Sequence, residues 1–482
     1  MSNLSELLPA GGGGKNVDFV ASGALGDGIT VALKADGTVE AISGVGGGAG
    51  TPVVFEAAIS TYNSAAFDSN SNKVVIAYTD NGNSSYGTAI VGTVSGASIS
   101  FGTAVVFRSA NIKGISATFD SANNKVVIAY SNEWSDGASI VGTVSGTSIS
   151  FGSEAIFESA TYLLQTAATF DSTNNKVVIV YAHTGSSGYG TAAVGTVSGT
   201  AISFGTPVVF EAATIYSPAV TYDSSASKVV IAYSDAGNST YGTAIVGTVS
   251  GTSISFGTAV VYEPTGSSGG KSAAFDSNSN KVVIAYSHSS NSTYGTAIVG
   301  TVSGTTISFG TAVVFEAAAT SNVSAVYDSA NSKVVIAYKD GGNSSYGTSV
   351  VGTVSGIAIS FSAPTVFNAG TTTNNGPLGA VYDSVANKMA IVYRDASNYG
   401  NAVVVTVSTT NNADFIGITG AAISDTASGS VTIKGGISAN ATGLTANAAY
   451  YVQDDGTLST TTSSVLAGKA LSSTSINLDY TT

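Results

Sequence analysis

Short runs of β-branched and aromatic residues, each ended by a polar turn, recur along most of this chain with a period of about fifty residues. One copy reads Val-Ser-Ala-Val-Tyr-Asp (323–328), Lys-Val-Val-Ile-Ala-Tyr (333–338), Gly-Thr-Ser-Val-Val-Gly-Thr-Val (347–354) and Ile-Ala-Ile-Ser-Phe (357–361), the last continuing toward Val366 and Phe367. The breaks between these runs are Asp-Ser-Ala-Asn-Ser, a Gly/Asn loop and Ser-Gly, so each copy predicts four strands, named A to D. The Asp ending strand A falls at Asp68, Asp120, Asp171, Asp223, Asp276, Asp328 and Asp383, each with a Lys five residues on. A fixed period of this size implies an array or a ring.

Seven copies of four antiparallel strands predict an all-β chain built as a seven-bladed β-propeller, with a β-solenoid as the alternative. The ends of the array distinguish the two. The seventh copy has strands A (379–383), B (388–393) and C (400–407), but no Ile-Ser-Phe-Gly-Thr segment follows. Ahead of the first copy stands Thr51-Pro-Val-Val-Phe-Glu-Ala57, which matches a later D strand at 207–212. A propeller over 51–407 would close by letting 51–57 complete the last blade, whereas a solenoid would cap its ends with polar, atypical repeats.

Residues 1–45 and 410–482 read as hairpins with tight polar turns: 28–33 with 38–42 around Ala-Asp-Gly, and 449–453 with 457–459 around Asp-Asp-Gly. Two strands do not stand alone in water. The N-terminal hairpin is therefore expected to join strands at 415–423, 430–435, 449–453, 465–470 and 475–479 in one small split β-barrel or sandwich. The propeller would be inserted into it, and the glycine run 44–50 would be one connecting linker.

Strand D starts and strand C ends on one face of such a ring, so both connections leave from the face carrying the uniform A–B and C–D turns. The opposite, distal face carries the loops that vary among copies. These are Thr79-Asp-Asn-Gly-Asn, Ser131-Asn-Glu-Trp-Ser, Ala182-His-Thr-Gly and Arg394-Asp-Ala-Ser between B and C, and Ile112-Lys-Gly, 162–165, 214–218 and Pro264-Thr-Gly-Ser between D and A. Variation carried on a constant frame marks a candidate binding surface. Two residues after each strand-B Tyr stand Asp80, Asn132, His183, Asp235, His288, Asp340 and Asp395, expected as a polar ring on the distal rim that would meet glycan hydroxyls, a cation or water. The competing reading is that they start the B–C turn and accept hydrogen bonds from its backbone. Trp134, the single tryptophan, would either stack on a sugar ring or replace the Tyr that opens strand C in other copies.

Composition narrows the chemistry. Only 9% of residues are charged, against roughly a quarter on average, so cohesion is expected from sheet ladders and aliphatic packing. A net charge of -13 and no basic stripe argue against nucleic acid and anionic membranes as partners. The sequence shows no span for membrane insertion and no secretory signal, and the absence of cysteine removes thiolate metal sites. One acidic residue per loop, as at 80–83 and 340–343, would bind calcium only with help from carbonyls or a neighbouring blade. With His183 and His288 in different copies, no shared metal is expected. Arg108 and Arg394 are the only arginines, which removes a sialidase-type arginine cluster. No catalytic residue, metal or cofactor is assigned.

Phe415-Ile-Gly-Ile-Thr-Gly-Ala-Ala-Ile-Ser-Asp, Gly435-Gly-Ile, Gly443-Leu-Thr, Tyr450-Tyr-Val-Gln-Asp-Asp-Gly-Thr-Leu-Ser-Thr-Thr and Gly468-Lys-Ala-Leu-Ser resemble the C-terminal module of structural proteins from tailed-bacteriophage virions. The Tyr-Asp-Ser-x-x-x-Lys-Val-Val-Ile-Ala-Tyr repeat is similar to repeats of phage fibre-like and appendage proteins. The resemblance implies a virion component, non-enzymatic, of tail-fibre, head-fibre or capsid-decoration type. Its small β-domain would attach to other virion proteins as a homo-oligomer, and its propeller would be displayed toward a host-surface glycan or protein. A purely architectural protein and a carbohydrate-active enzyme are the alternatives.

Overall fold

The computed structural model describes residues 15–34, 36–42, 46–132, 136–159, 163–266, 270–374, 377–408, 414–453, 456–463 and 465–479. The described chain is all-β, made of antiparallel sheets joined by turns and a few single 3₁₀ turns. It divides into two compact units, one of residues 47–407 and one of residues 1–46 with 408–482.

In the larger unit, the recurring Asp of the A–B turn is a cap. Asp68 Oδ1 accepts from the backbone N–H of Asn70 at 2.9 Å and of Ser71 at 3.0 Å, and the six later copies repeat the bond to the third residue on. The residue before the Lys is left-handed in every copy, from Asn72 (φ 55°) to Asn387 (φ 53°). Asn and Ser fill these places because a short polar side chain tolerates positive φ.

Strands A, B and C pair in order, and D lies along the far side of C. In four copies D runs on without a break into strand A of the next repeat, giving the 16-residue strands Val53–Asp68, Val105–Asp120, Val208–Asp223 and Val313–Asp328. This corrects the expectation that 112–114 and 214–218 are loops. Each long strand bends at one left-handed residue, Tyr62, Gly114, Ser217 or Asn322, which turns the chain from one sheet into the next without leaving extended structure. D and A are separate strands in the other three passages, as in Val260–Glu263 and Lys271–Asp276.

Repeats join through aromatic contacts. The D-strand aromatic of one repeat packs on the fully buried strand-B Tyr of the next, with ring centroids 5.1 Å apart for Phe55–Tyr78, 5.3 Å for Phe210–Tyr233 and 5.4 Å for Phe367–Tyr393. The A strands touch one another in sequence order, and Gly379–Asp383 of the seventh copy also touches the strand Val53–Asp68 of the first. One cavity of about 520 Å³ is lined by a segment from each copy, from 62–65 in the first to 377–380 in the seventh, and no Asp or Glu is among its described lining residues.

Strand C of the seventh copy, Tyr399–Ser408, pairs with N-terminal chain: Ala402 with Val53, Asn401 with Val54 and Gly400 with Glu56. The segment Gly46–Ala49, expected as linker, is also a strand on Tyr399–Ser408. Its three successive glycines do not prevent pairing, because the ladder uses only backbone groups.

The smaller unit contains two five-stranded sheets. The first runs Asn16–Val20, Ser428–Ile433, Phe415–Thr419, Thr30–Leu33, Val39–Ala41, so chain from both ends of the sequence interleaves in one sheet. The second runs Ile437–Ser438, Ile476–Leu478, Val465–Ala470, Ala449–Val452, Leu458–Ser459. Ala32, Phe415 and Ile418 of the first share a core with Tyr450, Val452, Ala467 and Leu478 of the second. Strand Asn16–Val20 was not expected. Its alternating half-buried and exposed residues form the edge of the first sheet, where little apolar area signals it.

Candidate functional site

The position two residues after each strand-B Tyr is where the chain leaves the sheet, and it divides into three chemical types. Asp80, Asp340 and Asp395 hold their own turns. Asp80 Oδ1 accepts from Asn83 N–H at 3.0 Å, and Asp340 Oδ1 from Gly342 N–H at 2.9 Å and Asn343 N–H at 3.1 Å. Asp395 Oδ1 accepts from Ser397 and Tyr399 N–H, while its Oδ2 accepts from Asn401 Nδ2. Asp235 starts the same kind of 3₁₀ turn without a side-chain cap bond. Asp80, Asp235 and Asp340 are buried, and so is Asn132. The expected polar ring is therefore largely buried in these repeats; at Asp80 and Asp340 the turn's N–H groups hold the carboxylate against the backbone. His183 and His288 are the third type, half-buried beside a carboxylate. Trp134 lies outside the described residues.

The sequence reading missed the side chain that faces this position. Strand D carries a Glu directly after its aromatic residue, and that Glu accepts a hydrogen bond from the strand-B Tyr hydroxyl of the next repeat. The bonds are Tyr78 to Glu56 (3.0 Å), Tyr181 to Glu158 (2.9 Å), Tyr233 to Glu211 (3.1 Å), Tyr286 to Glu263 (3.1 Å) and Tyr338 to Glu316 (3.0 Å). Burial, together with the adjacent Glu, pushes each of these phenols well above its ordinary pKa, so the Tyr remains a donor. In the second repeat Arg108 replaces the Glu. There Glu154, four residues before Glu158, bridges Tyr130 hydroxyl at 2.7 Å and Arg108 Nη1 at 3.2 Å. The repeated Val-Val-Phe-Glu of 53–56, 208–211 and 313–316 was the available signal.

Five repeats thus set a D-strand Glu against an Asp or His of the B–C turn. Burial first, and then the neighbouring Asp80 or Asp235, hold the carboxyls of Glu56 and Glu211 above the usual range; burial and Asp340 do the same to Glu316. Glu158 meets His183 Nε2 at 3.8 Å and Glu263 meets His288 Nε2 at 3.3 Å. Both types present hydrogen-bond acceptors suited to hydroxyl or amine donors. No group of three or more His, Asp or Glu among the described residues is arranged to hold a metal ion. No protein-family model and no curated protein matches the chain.

Proposed function

We propose that residues 47–407 form a seven-bladed β-propeller and that the protein is a non-enzymatic virion structural protein, with the small β unit attaching to other virion proteins and the B–C turns meeting a host-surface glycan or protein. The cyclic order of A-strand contacts and the pairing of 53–56 with 400–402 support the propeller. The observation that carries the binding role is the contrast among repeats: buried Tyr, aromatic contact and turn cap recur, while the group facing the D-strand Glu changes between Asp and His. A frame that stays constant while one acceptor position varies supports recognition of a polar partner. The virion setting rests on the resemblance of 415–472 and of the repeats to phage structural proteins.

A purely architectural role is favoured by one observation, the use of Asp80, Asp340 and Asp395 to cap their own turns. A glycan array and host-cell adhesion assay on the full chain separate the two readings. Binding that falls on changing the B–C turns, including Asp235 and Trp134, supports recognition. Absence of binding leaves the architectural role, and turnover of a host polysaccharide would replace both.

A further inference from the structure

We propose that the cleft at Glu158 and His183 is a subsite for one neutral pyranose, whose hydroxyl bridges the carboxylate and the imidazole while its C–H face lies on Ile156 and Val209. The inference rests on the reading that this end of the repeats meets a glycan, and it names the repeat and the chemistry.

The fifth repeat shows what such a pair accepts. Thr265 Oγ1 lies 2.6 Å from Glu263 Oε1 and 2.8 Å from His288 Nε2, so the chain's own hydroxyl occupies the angle between carboxylate and imidazole. Thr265 N–H adds a bond to the same carboxylate oxygen at 2.9 Å, and that pair is closed. Glu158 and His183 occupy the same places in their repeat. Glu158 Oε2 accepts from Tyr181 and Oε1 from its neighbour Ser159 N–H at 3.1 Å, leaving further lone pairs on both oxygens. Its distance from His183 Nε2, 3.8 Å, is too long for a direct hydrogen bond and leaves room for a bridging hydroxyl. The residue matching Thr265 is Ala160, which has no hydroxyl and lies outside the described residues.

The surroundings fit a sugar ring better than an ion. The cleft measures about 470 Å³ and adds Ser186, Thr191 and Pro207 to its walls. Ile156 and Val209 stand 43% and 48% exposed on it, an apolar surface beside a polar floor. A pyranose presents the same division, with hydroxyls at its edge and C–H groups on its face. A volume in this range suits a small ligand.

The test uses the full chain with methyl glucoside, methyl galactoside and methyl mannoside as probes, read by saturation-transfer NMR on irradiating protein methyl groups. Transfer to ring protons of at least one sugar is expected. H183D should reduce it about tenfold, the effect of one lost hydrogen bond with added repulsion. Asp is native at this position in four other repeats, so H183D should fold. The double variant I156S/V209S should likewise reduce transfer, and H288D, at the closed pair, should leave it unchanged. No transfer from any of the three sugars, or transfer insensitive to H183D and to I156S/V209S, would overturn the subsite. A glycan array on the same proteins separates this result from the broader reading. Array binding that survives H183D removes the subsite and keeps adhesion, whereas sugar transfer without array or cell binding keeps the subsite and removes adhesion.

Discussion

Six repeats and the seventh differ at three linked positions, and together these show what the missing strand does. In the complete repeats, strand C carries a glycine under the first half of strand D: a Cβ at Gly300 would lie 2.7 Å from Ile307 Cδ1 and 2.9 Å from Phe309. The seventh copy has no Ile-Ser-Phe segment, and Val405 stands there instead. Between repeats, a Cβ at Gly310 would lie 2.0 Å from the carbonyl oxygen of Ile357 in the next C–D turn. The equivalent residue facing the seventh copy, which has no such turn, is Ser362. Finally, Asn368 replaces the D-strand Glu and bonds to Gly370 O and Thr372 Oγ1 rather than to Tyr393. Side-chain volume has moved from the absent strand D onto strand C, and the glycines survive where a neighbouring backbone presses on them.

The largest expected effect is at the seam between N-terminal chain and the seventh copy. Phe55 covers Gly400 and packs on Tyr78 and Phe101, as Phe315 covers Gly295 within the continuous array. Phe55→Ala and Phe315→Ala should each destabilise by about 3–5 kcal/mol in urea titration; a much smaller loss for Phe55→Ala would mean that the seam is frayed and the comparison fails. Next, Gly300→Val should destabilise by roughly 1–3 kcal/mol through overpacking, while Val405→Gly, which only vacates space, should cost about 1–2 kcal/mol. Equal tolerance of valine at both sites would remove the argument from the absent strand. A smaller difference is expected at the Tyr–Glu bond: Tyr233→Phe should cost about 1 kcal/mol by thermal unfolding, and Tyr393→Phe less.

The smallest effect is electrostatic and separates the Glu–Asp repeats from the rest. Because the folded-state pKa of Glu56, Glu211 and Glu316 is raised, their contribution to stability is fully present at low pH and declines as pH rises through the folded values, upward from the ordinary carboxylate range. Asp235→Asn should lessen the part of this decline due to Glu211 without abolishing it, because burial, the larger cause, remains. A melting profile across mildly acidic to neutral pH that Asp235→Asn leaves unaltered would dissociate the pair.

Much of the repeat was legible because its signals are local. The Asp cap and the left-handed Asn or Ser lie within one turn, and strand B is marked by an unbroken apolar run because it is buried on both faces. The pairing of 53–56 with the seventh copy was readable only because the same words recur elsewhere. The long D-to-A strands were not legible: Thr214-Ile-Tyr-Ser-Pro218 contains a proline and varies among copies, and the bend at Ser217 that keeps it extended depends on neighbouring sheets. At the candidate site, the seven B–C positions were found by counting from Tyr, but their partners were not. Glu211 and Asp235 lie on different strands, and the hydrogen bond that fixes the Glu comes from the following repeat. Pairwise geometry across repeats is absent from any single copy of the motif.

The antiparallel join of Val53 to Ala402 also sets a timetable. Translation delivers the first partner early and the second only after more than 340 intervening residues, so the waiting edge of 53–56 must stay unpaired while six repeats are made. During that interval the same edge could be taken by the seventh repeat of another chain, which makes the growing polypeptide most exposed to misassembly before its own strand Tyr399–Ser408 leaves the ribosome.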